Sequence, residues 1–431
     1  MACTVTSVWL ALWSLLIATT MCEAVDHASY DGYKVLRIYP KQSEHIAWIS
    51  KWRELSGTQV DFWREPSKPG REVDVMLSPI QARKFEGALQ DFNISYDVTI
   101  LDVQKLIDEQ LKQKPAGDGA KFDYSKYHTY NQIQDWLKDM ATQYSDLASI
   151  LEVTTSFEGR KVRALKVGKT TPGAEKPAVW IEGGIHAREW ISPATVLYIT
   201  KELLERYGKN RRVTRLLNTF DWYILPVFNV DGYSYSWSSD RMWRKTRTKN
   251  ENSTCVGVDP NRNWDIHWGE EGASHFPCSD TYCGPFPFSA PSVRGVADFI
   301  KSIPNVVAFL DIHSYSQMWM SPWGFTHELP PDFDIQDALS KAAVRALESV
   351  HGTKYTHGTI ANTLTIASGS SADWTYAESG ANIVYSYAVE LRDTGRFGFL
   401  LPPDQIVPSG QETFAAVVAT GVFILNNPPP Q

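Results

Sequence analysis

The chain has 431 residues, of which 43% are hydrophobic and 21% are charged, so it can bury a large core and is not a disordered protein. Its 42 Lys and Arg residues against 49 Asp and Glu residues give a net charge of −7, and no basic run rivals a nucleic-acid-binding patch. Nucleic acid is therefore excluded as an expected partner, and the length predicts two or three domains.

The N-terminus is predicted to be a secretory signal peptide over residues 1–24. Its apolar stretch, residues 8–18, is too short to span a bilayer, and Cys22-Glu23-Ala24 offers a small-residue cleavage site. The alternative is an uncleaved membrane anchor. A second apolar run, Phe414–Leu425, is also too short to cross a membrane, so we expect a soluble protein that is secreted to the extracellular space.

Residues 25–113 are predicted to contain a small α+β unit. Alternating and helical patterns predict these elements in chain order: strand Tyr33–Tyr39, helix Ser43–Leu55, strands Val60–Trp63 and Val73–Leu77, a helix from Pro79, strand Tyr96–Leu101 and helix Val103–Leu111. The order βαββαβ is that of a ferredoxin-like unit. Residues 114–121 are rich in Gly, Pro and Lys and predict an exposed linker, which either is cut by a trypsin-like protease or is never cut.

Residues 122–431 are predicted to form one α/β domain. The predicted elements are strands Lys161–Val167, Ala178–Ile185, Asp221–Asn229, Val306–Ser314 and Ile383–Leu391, and helices Pro193–Tyr207, with Ser192 as its cap, and Ile335–Val350. Apolar strands between helices predict a mixed, twisted central sheet covered by helices on both faces. In such sheets ligands lie outside the strand ends, where both His186 and His313 fall.

The spacing of three residues predicts a metal site. His186 and Glu189 are three residues apart and can bind one ion, and His313 adds a ligand from a distant strand. Two close ligands and one distant ligand leave a position open for water, which is typical of catalytic zinc, whereas structural zinc has four protein ligands. Each residue alone is more often a surface pair or a core histidine, so the interpretation depends on their joint occurrence.

A second acid, Glu390, ends another predicted strand. Strand alternation places Ser386, Ala388 and Glu390 on one face. A carboxylate on a buried strand needs a partner because an unpaired buried charge is costly. A metal-bound water would supply that partner.

Four clusters, in this order and spacing, resemble the zinc metallocarboxypeptidases of the A/B subfamily: His186–Glu189, Trp243–Thr246, Gly257–Trp264 and Val389–Asp393. The blocks His313–Gln317 and Glu390–Arg396 are similar to family blocks, and Phe122–Tyr130 resembles the start of the mature enzyme. The resemblance implies a secreted, digestive-type, monomeric precursor. Its activation prosegment would be residues 25–113, a trypsin-like protease would cut within residues 114–121, and residues 122–431 would be the catalytic domain.

The resemblance also implies roles for individual residues. His186, Glu189 and His313 would bind one Zn²⁺, Glu390 would be the general base, and Arg244 would face the oxyanion. Asp259 would accept a hydrogen bond from the His186 ring and so orient it. Asn261 and Arg262 would bind the terminal carboxylate of a peptide, and Arg188 would contact an outer position. The full set implied in substrate binding is Arg188, Asn261, Arg262, Ser314, Tyr315, Ile360, Ala372 and Ala388.

The resemblance further predicts specificity and a disulfide. Ala372 stands where the branch that cleaves basic residues has an aspartate, so we expect an apolar pocket for aliphatic or aromatic C-terminal residues. Thr365 replaces a family tyrosine that closes over substrate, and its hydroxyl is too short for the same reach. Cys255 and Cys278 match the family disulfide, whereas Cys283 has no matching partner and is either free or paired with another chain.

The competing hypothesis is a secreted, non-catalytic protein that uses the same pocket to hold peptide ends. Thr365 is the feature that favours it. The complete set of expected zinc ligands, together with Arg244 and Glu390, argues against it.

Overall fold

The computed structural model describes residues 27–55, 60–112, 122–170, 173 and 175–429. The predicted signal peptide, residues 1–24, and the predicted linker, residues 114–121, lie outside the described residues.

The described residues up to 112, here called the N-terminal unit, form a four-stranded antiparallel sheet with helices. Its elements are β1 Lys34–Tyr39, α1 Ser43–Leu55, β2 Asp61–Arg64, β3 Val73–Leu77, α2 Pro79–Asp91, β4 Ser95–Ile100 and α3 Val103–Leu111. The strand order is β2-β3-β1-β4. The predicted βαββαβ order is confirmed, with α3 following it as expected.

Residues 122–429, here called the C-terminal domain, contain a larger sheet and further helices. The strands are β5 Ala148–Thr155, β6 Lys161–Val167, β7 Ala178–Gly183, β8 Asp221–Leu225, β9 Val306–His313, β10 Met318–Ser321, β11 Thr356–Thr359 and β12 Tyr385–Glu390. The helices are α4 Tyr130–Gln143, α5 Ile191–Arg206, α6 Arg211–Thr219, α7 Val230–Ser238, α8 Pro291–Ser302, α9 Phe333–His351, α10 Ile360–Thr363, α11 Ser371–Tyr376 and α12 Ile406–Asn426.

The larger sheet is mixed, as predicted. Its strand order is β11-β10-β12-β9-β7-β8-β6-β5. The four central strands β12, β9, β7 and β8 are parallel to one another, while β10 and β6 run antiparallel to their inner neighbours. Because the central strands are parallel, their carboxyl ends meet at one edge of the sheet. Their side chains are almost completely buried, which explains the continuous apolar runs in the sequence.

Two predicted boundaries differ from the structure for identifiable reasons. Strand β8 ends at Leu225 and not at Asn229, because the Asn229 side chain caps α7 and accepts a hydrogen bond from Gly232 N at 3.0 Å. The prediction that Ser192 caps α5 is wrong, since the helix begins at Ile191. The Ser192 hydroxyl accepts from Gly184 N at 2.9 Å and donates to Ile312 O, and so ties β7 to β9.

A disulfide joins Cys255 and Cys278, whose Cα atoms are 5.1 Å apart. Cys283 is buried and bonds to no other cysteine of the described chain. Its burial argues against a disulfide with another molecule. No helix in the described part of the chain has the length and apolar character needed to cross a membrane.

Candidate active site

The three predicted zinc ligands meet at the carboxyl edge of the central strands. His186 and Glu189 lie in the segment between β7 and α5, and His313 is the last residue of β9. One ligand atom from each residue lies within 4.8 Å of the others, and all three side chains are buried. Glu189 Oε1 is 2.8 Å from His186 Nδ1, and Glu189 Oε2 is 3.2 Å from His313 Nδ1. Both imidazoles therefore present Nδ1 to the same carboxylate.

The outer nitrogen of each imidazole faces a buried carboxylate. His186 Nε2 is 3.1 Å from Asp259 Oδ1, the partner expected from the sequence. His313 Nε2 is 2.9 Å from Asp311 Oδ2, a partner that the sequence analysis missed. Histidines that bind a metal commonly donate their other N–H to a carboxylate. Two imidazole nitrogens and one carboxylate with such partners fit Zn²⁺.

Glu390 ends β12 directly beside His313, with which it is in register across the parallel pair. Its Oε2 atom is buried and accepts no hydrogen bond from any residue that the structure describes. Burial raises the pKa of Glu390 to about 8, and the nearby His313 opposes this rise. A higher pKa makes the ionised form of a carboxylate a stronger base than an exposed one.

Arg244, expected to face the oxyanion, lines the same cleft as Asn261 and Arg262, which are expected to bind substrate. Arg244 Nη2 donates to Asp259 Oδ2 at 2.9 Å. The Asp259 carboxylate therefore contacts both Arg244 and His186. Arg262 is anchored by hydrogen bonds from Nε to Gly272 O and from Nη1 to its neighbour's carbonyl, each 2.8 Å long. Asn261 Oδ1 accepts from Ser371 N at 2.8 Å. These bonds fix two guanidinium groups and one amide at the cleft wall.

The predicted specificity pocket is apolar. Ile360, Ala372 and Ala388 form a buried cluster with Met320, a residue that the sequence analysis missed. Asp373, next to Ala372, is turned away from this cluster, because its carboxylate accepts from the Gly324 and Phe325 amides. Thr365 also lines the cleft.

The N-terminal unit covers the cleft. Its segment Phe62–Glu65 lines the same cavity, of about 100 Å³, as the candidate ligands. Arg188 donates to both carboxylate oxygens of Asp61, at 2.8 and 3.0 Å. The Tyr315 hydroxyl donates to Asp74 Oδ2 at 2.7 Å. Two of the residues expected to bind substrate are therefore engaged by the N-terminal unit.

Ser314 lies beside the candidate ligands. Its backbone amide donates to Glu189 Oε2 at 3.2 Å, while its own buried hydroxyl has no hydrogen-bond partner among the described residues. Of the partners that were missed, Asp311 was accessible to sequence reasoning, because strand alternation puts it on the same face as His313. Asp61 and Asp74 carry no local signal, since their partners lie 127 and 241 residues away along the chain.

Comparison with known proteins agrees with this fold and geometry. The zinc carboxypeptidase family matches residues 133–416, and the carboxypeptidase activation peptide family matches residues 36–110. This chain belongs to the zinc carboxypeptidase family, and it is a zinc-dependent metallocarboxypeptidase that carries an activation peptide.

Relatives match nearly the whole chain. Human carboxypeptidase A1 is 41% identical over 422 residues, which cover 96% of this chain and 99% of the relative. Human carboxypeptidase B is 40% identical over 423 residues, with 96% and 99% coverage. Among solved structures, thrombin activatable fibrinolysis inhibitor has a TM-score of 0.83 at 35% identity and covers 91% of this chain and 99% of its own. Carboxypeptidase A from Helicoverpa armigera has a TM-score of 0.84 at 27% identity, with 93% and 100% coverage.

Proposed function

We propose that this chain is the secreted, monomeric precursor of a carboxypeptidase that removes aliphatic and aromatic residues from the C-termini of peptides and proteins. Residues 1–24 are its signal peptide, residues 25–113 its activation prosegment, and residues 122–431 its catalytic domain. A trypsin-like protease cuts within residues 114–121. The observation that carries the proposal is the convergence of His186, Glu189 and His313 beside Glu390, next to an apolar pocket.

Substrate binding follows from the cleft wall. The terminal carboxylate of a peptide binds Asn261 and Arg262, whose guanidinium group matches two carboxylate oxygens. Its side chain then enters the pocket formed by Met320, Ile360, Ala372 and Ala388. The pocket presents no charge, so burial of an aliphatic or aromatic side chain is favourable. Only a chain end brings a carboxylate to this position, which makes the enzyme an exopeptidase.

The chemistry divides among a few side chains. Zinc, when bound by His186, Glu189 and His313, acts as a Lewis acid that polarises the scissile carbonyl group and acidifies water. Glu390 accepts a proton from the attacking water and delivers it to the leaving amine. Arg244 stabilises the negative charge that develops on the carbonyl oxygen, worth about 3–4 kcal/mol for such donors.

The N-terminal unit keeps the precursor silent by occupying the cleft. Asp61 holds Arg188 and Asp74 holds Tyr315, as substrate groups would. An apolar cluster between the N-terminal unit and the C-terminal domain adds to the affinity of the two parts. It contains Val35, Trp63, Met76, Ile100, Val103 and Ile107 from the first and Met242, Tyr315, Phe399 and Leu400 from the second. Cutting the linker allows this unit to leave.

The test is release of single residues from peptides that end in Phe, Leu or Lys. We expect no turnover by the intact precursor, and rapid release of Phe and Leu after trypsin treatment. A chelator should abolish turnover, and added zinc should restore it. Absent or chelator-insensitive turnover after cleavage would favour the non-catalytic binding protein instead. Fast release of Lys would contradict the pocket assignment alone, and size-exclusion chromatography tests the monomer.

A further inference from the structure

Asp311 is a buried acid whose contacts connect the zinc site with the specificity pocket. It lies on β9 two residues before His313, is 0% exposed, and faces His313 Nε2 at 2.9 Å. The Ser371 hydroxyl donates to the same carboxylate oxygen, Asp311 Oδ2, at 2.6 Å. Asp311 therefore has one oxygen shared between a candidate zinc ligand and the first residue of α11.

Ser371 extends this connection in two directions. Its backbone amide donates to Asn261 Oδ1 at 2.8 Å. Asn261 Nδ2 also lies 3.2 Å from His313 Nε2, but both nitrogens are donors when Nε2–H donates to Asp311, so this contact adds no hydrogen bond. The next residue of α11 is Ala372, which is 1% exposed and belongs to the pocket cluster. Helix α11 is thus hydrogen-bonded both to Asn261, which is proposed to bind the substrate carboxylate, and to Asp311, which contacts His313.

From these contacts we propose that Asp311 is a positioning residue for the zinc ligand His313, and that Ser371 fixes Asp311 to the specificity pocket. This inference rests on the proposed zinc site. By accepting the N–H at Nε2, Asp311 selects the tautomer in which Nδ1 is unprotonated and would be available as a zinc ligand. The Ser371 hydroxyl in turn holds the Asp311 carboxylate in the orientation that His313 needs.

The two histidine ligands are then held by different parts of the cleft. Asp259 links His186 to Arg244, which faces the reacting carbonyl. Asp311 links His313 to Ser371 at the pocket. A carboxylate behind each imidazole raises its basicity and restricts its rotation, and removal of such a partner typically weakens metal affinity by about 10–100-fold.

The sheet supplies a matched control for Asp311. Glu182 on β7 is in register with Asp311 and is equally buried, but its carboxylate accepts from Trp180 Nε1 at 2.7 Å. Ser386 is a matched control for Ser371, because it is buried and hydrogen-bonded to Thr375 of α11, at 3.1 Å, and not to Asp311. Neither control side chain hydrogen-bonds to Asp311, so their changes test burial and helix packing. Glu182→Gln also tests the repulsion between the two neighbouring carboxyl groups, since burial and the nearby Asp311 both raise the pKa of Glu182.

The experiment measures zinc affinity of the full-length precursor by competition with a chromophoric chelator. We expect Asp311→Asn to weaken zinc binding about 10–100-fold. Ser371→Ala should weaken it less, by about fivefold, because Ser371 acts on His313 only through Asp311. Glu182→Gln and Ser386→Ala should stay within about twofold of the original chain. The Co²⁺-substituted Asp311→Asn protein should also show a shifted visible absorption band, which a change in packing alone would not produce.

The outcomes separate this inference from the proposed function. If the original chain binds no zinc, the proposed zinc site itself fails. If it binds zinc and both Asp311→Asn and Ser371→Ala bind equally well with unchanged Co²⁺ spectra, the positioning role is overturned while the enzyme stands. Should Asp311→Asn fail to fold, the positioning role is tested by comparing the zinc affinity of Ser371→Ala with that of Ser386→Ala.

Discussion

Asp61 of the N-terminal unit and Arg188 of the C-terminal domain form an ion pair across the cleft, with Asp61 Oδ2 2.8 Å from Arg188 Nη1. The Arg188 side chain is 2% exposed, and its guanidinium carbon lies 4.3 Å from the centre of the Phe399 ring. Burial raises the pKa of Asp61 to about 6 and Arg188 lowers it, so the carboxylate is ionised at neutral pH. The N-terminal unit therefore places a carboxylate on a cation that we propose binds substrate.

Asp61→Asn should loosen the N-terminal unit. The substitution leaves the buried Arg188 without a charged partner, which weakens the contact by about 1–3 kcal/mol. We expect the uncleaved precursor to gain measurable activity, and inhibition after linker cleavage to be relieved about tenfold faster. Asp97→Asn is the control, because Asp97 bonds to Tyr39 on the N-terminal unit itself. Equal behaviour of the two variants would show that the ion pair contributes nothing to silencing.

Glu390→Gln should separate proton transfer from metal binding. The amide cannot accept a proton from water, so turnover of the activated enzyme should fall by about 10²–10⁴-fold. Zinc content should stay at that of the original chain, since Glu390 is not among the three converging ligands. Glu378→Gln, in the exposed loop after α11, should retain activity. Turnover kept by Glu390→Gln would assign the general base to another group.

Ala372→Asp should change the preferred C-terminal residue. The new carboxylate would lie in the cluster with Met320, Ile360 and Ala388 and would attract a Lys or Arg side chain. We expect the ratio of kcat/KM for Lys-ending over Phe-ending peptides to rise by about tenfold or more. Ala372→Asn has the same size without the charge, so it should lose activity on Phe without gaining any on Lys. An unchanged ratio in the aspartate variant would show that Ala372 is not at the pocket base.

Lys245 should make stability depend on alkaline pH. Burial lowers its pKa to about 8 from 10.5, while Nζ donates to Pro277 O at 2.7 Å. Between these values the unfolded chain binds more protons than the folded chain, so this lysine's contribution to the free energy of unfolding rises with pH. The total change is about 3 kcal/mol.

Comparison of the original chain with Lys245→Met isolates this effect. The difference in unfolding free energy between the two proteins should grow in favour of the original chain from pH 8 to pH 10.5, as measured by chemical denaturation. The lost hydrogen bond to Pro277 adds a constant that does not vary with pH. Lys84→Met, at an exposed lysine of α2, should give a flat difference. A flat difference for Lys245→Met as well would mean that this side chain is hydrated in solution.

The sequence predicted those features of the site that depend on short-range residue spacing. The three-residue spacing of His186 and Glu189 and the position of His313 at a strand end were enough to predict that they converge. The alternation of β12 correctly grouped Glu390 with Ala388. Parallel central strands then brought these separate ends to one edge, as continuous apolar runs had predicted.

The parts that were missed depend on contacts between distant segments. Asp61 and Arg188 meet only because the N-terminal unit packs against the C-terminal domain, and no sequence pattern near either residue predicts the other. The four-residue strands β10 and β11 are too short for a periodicity to emerge. Serine is a common helix cap, but the Ser192 hydroxyl instead forms tertiary hydrogen bonds with Gly184 and Ile312.

The candidate active site draws on three strand ends, and His313 lies 124 residues beyond Glu189. In a nascent or partly folded chain, His186 and Glu189 are already close together, but His313 joins them only when β9 has paired with β7. The candidate active site is therefore complete only when the central sheet is complete. If the docked N-terminal unit silences the finished precursor, as we propose, then a cell that makes this protein has a second and earlier protection, because an incomplete chain has no complete active site with which to digest other proteins.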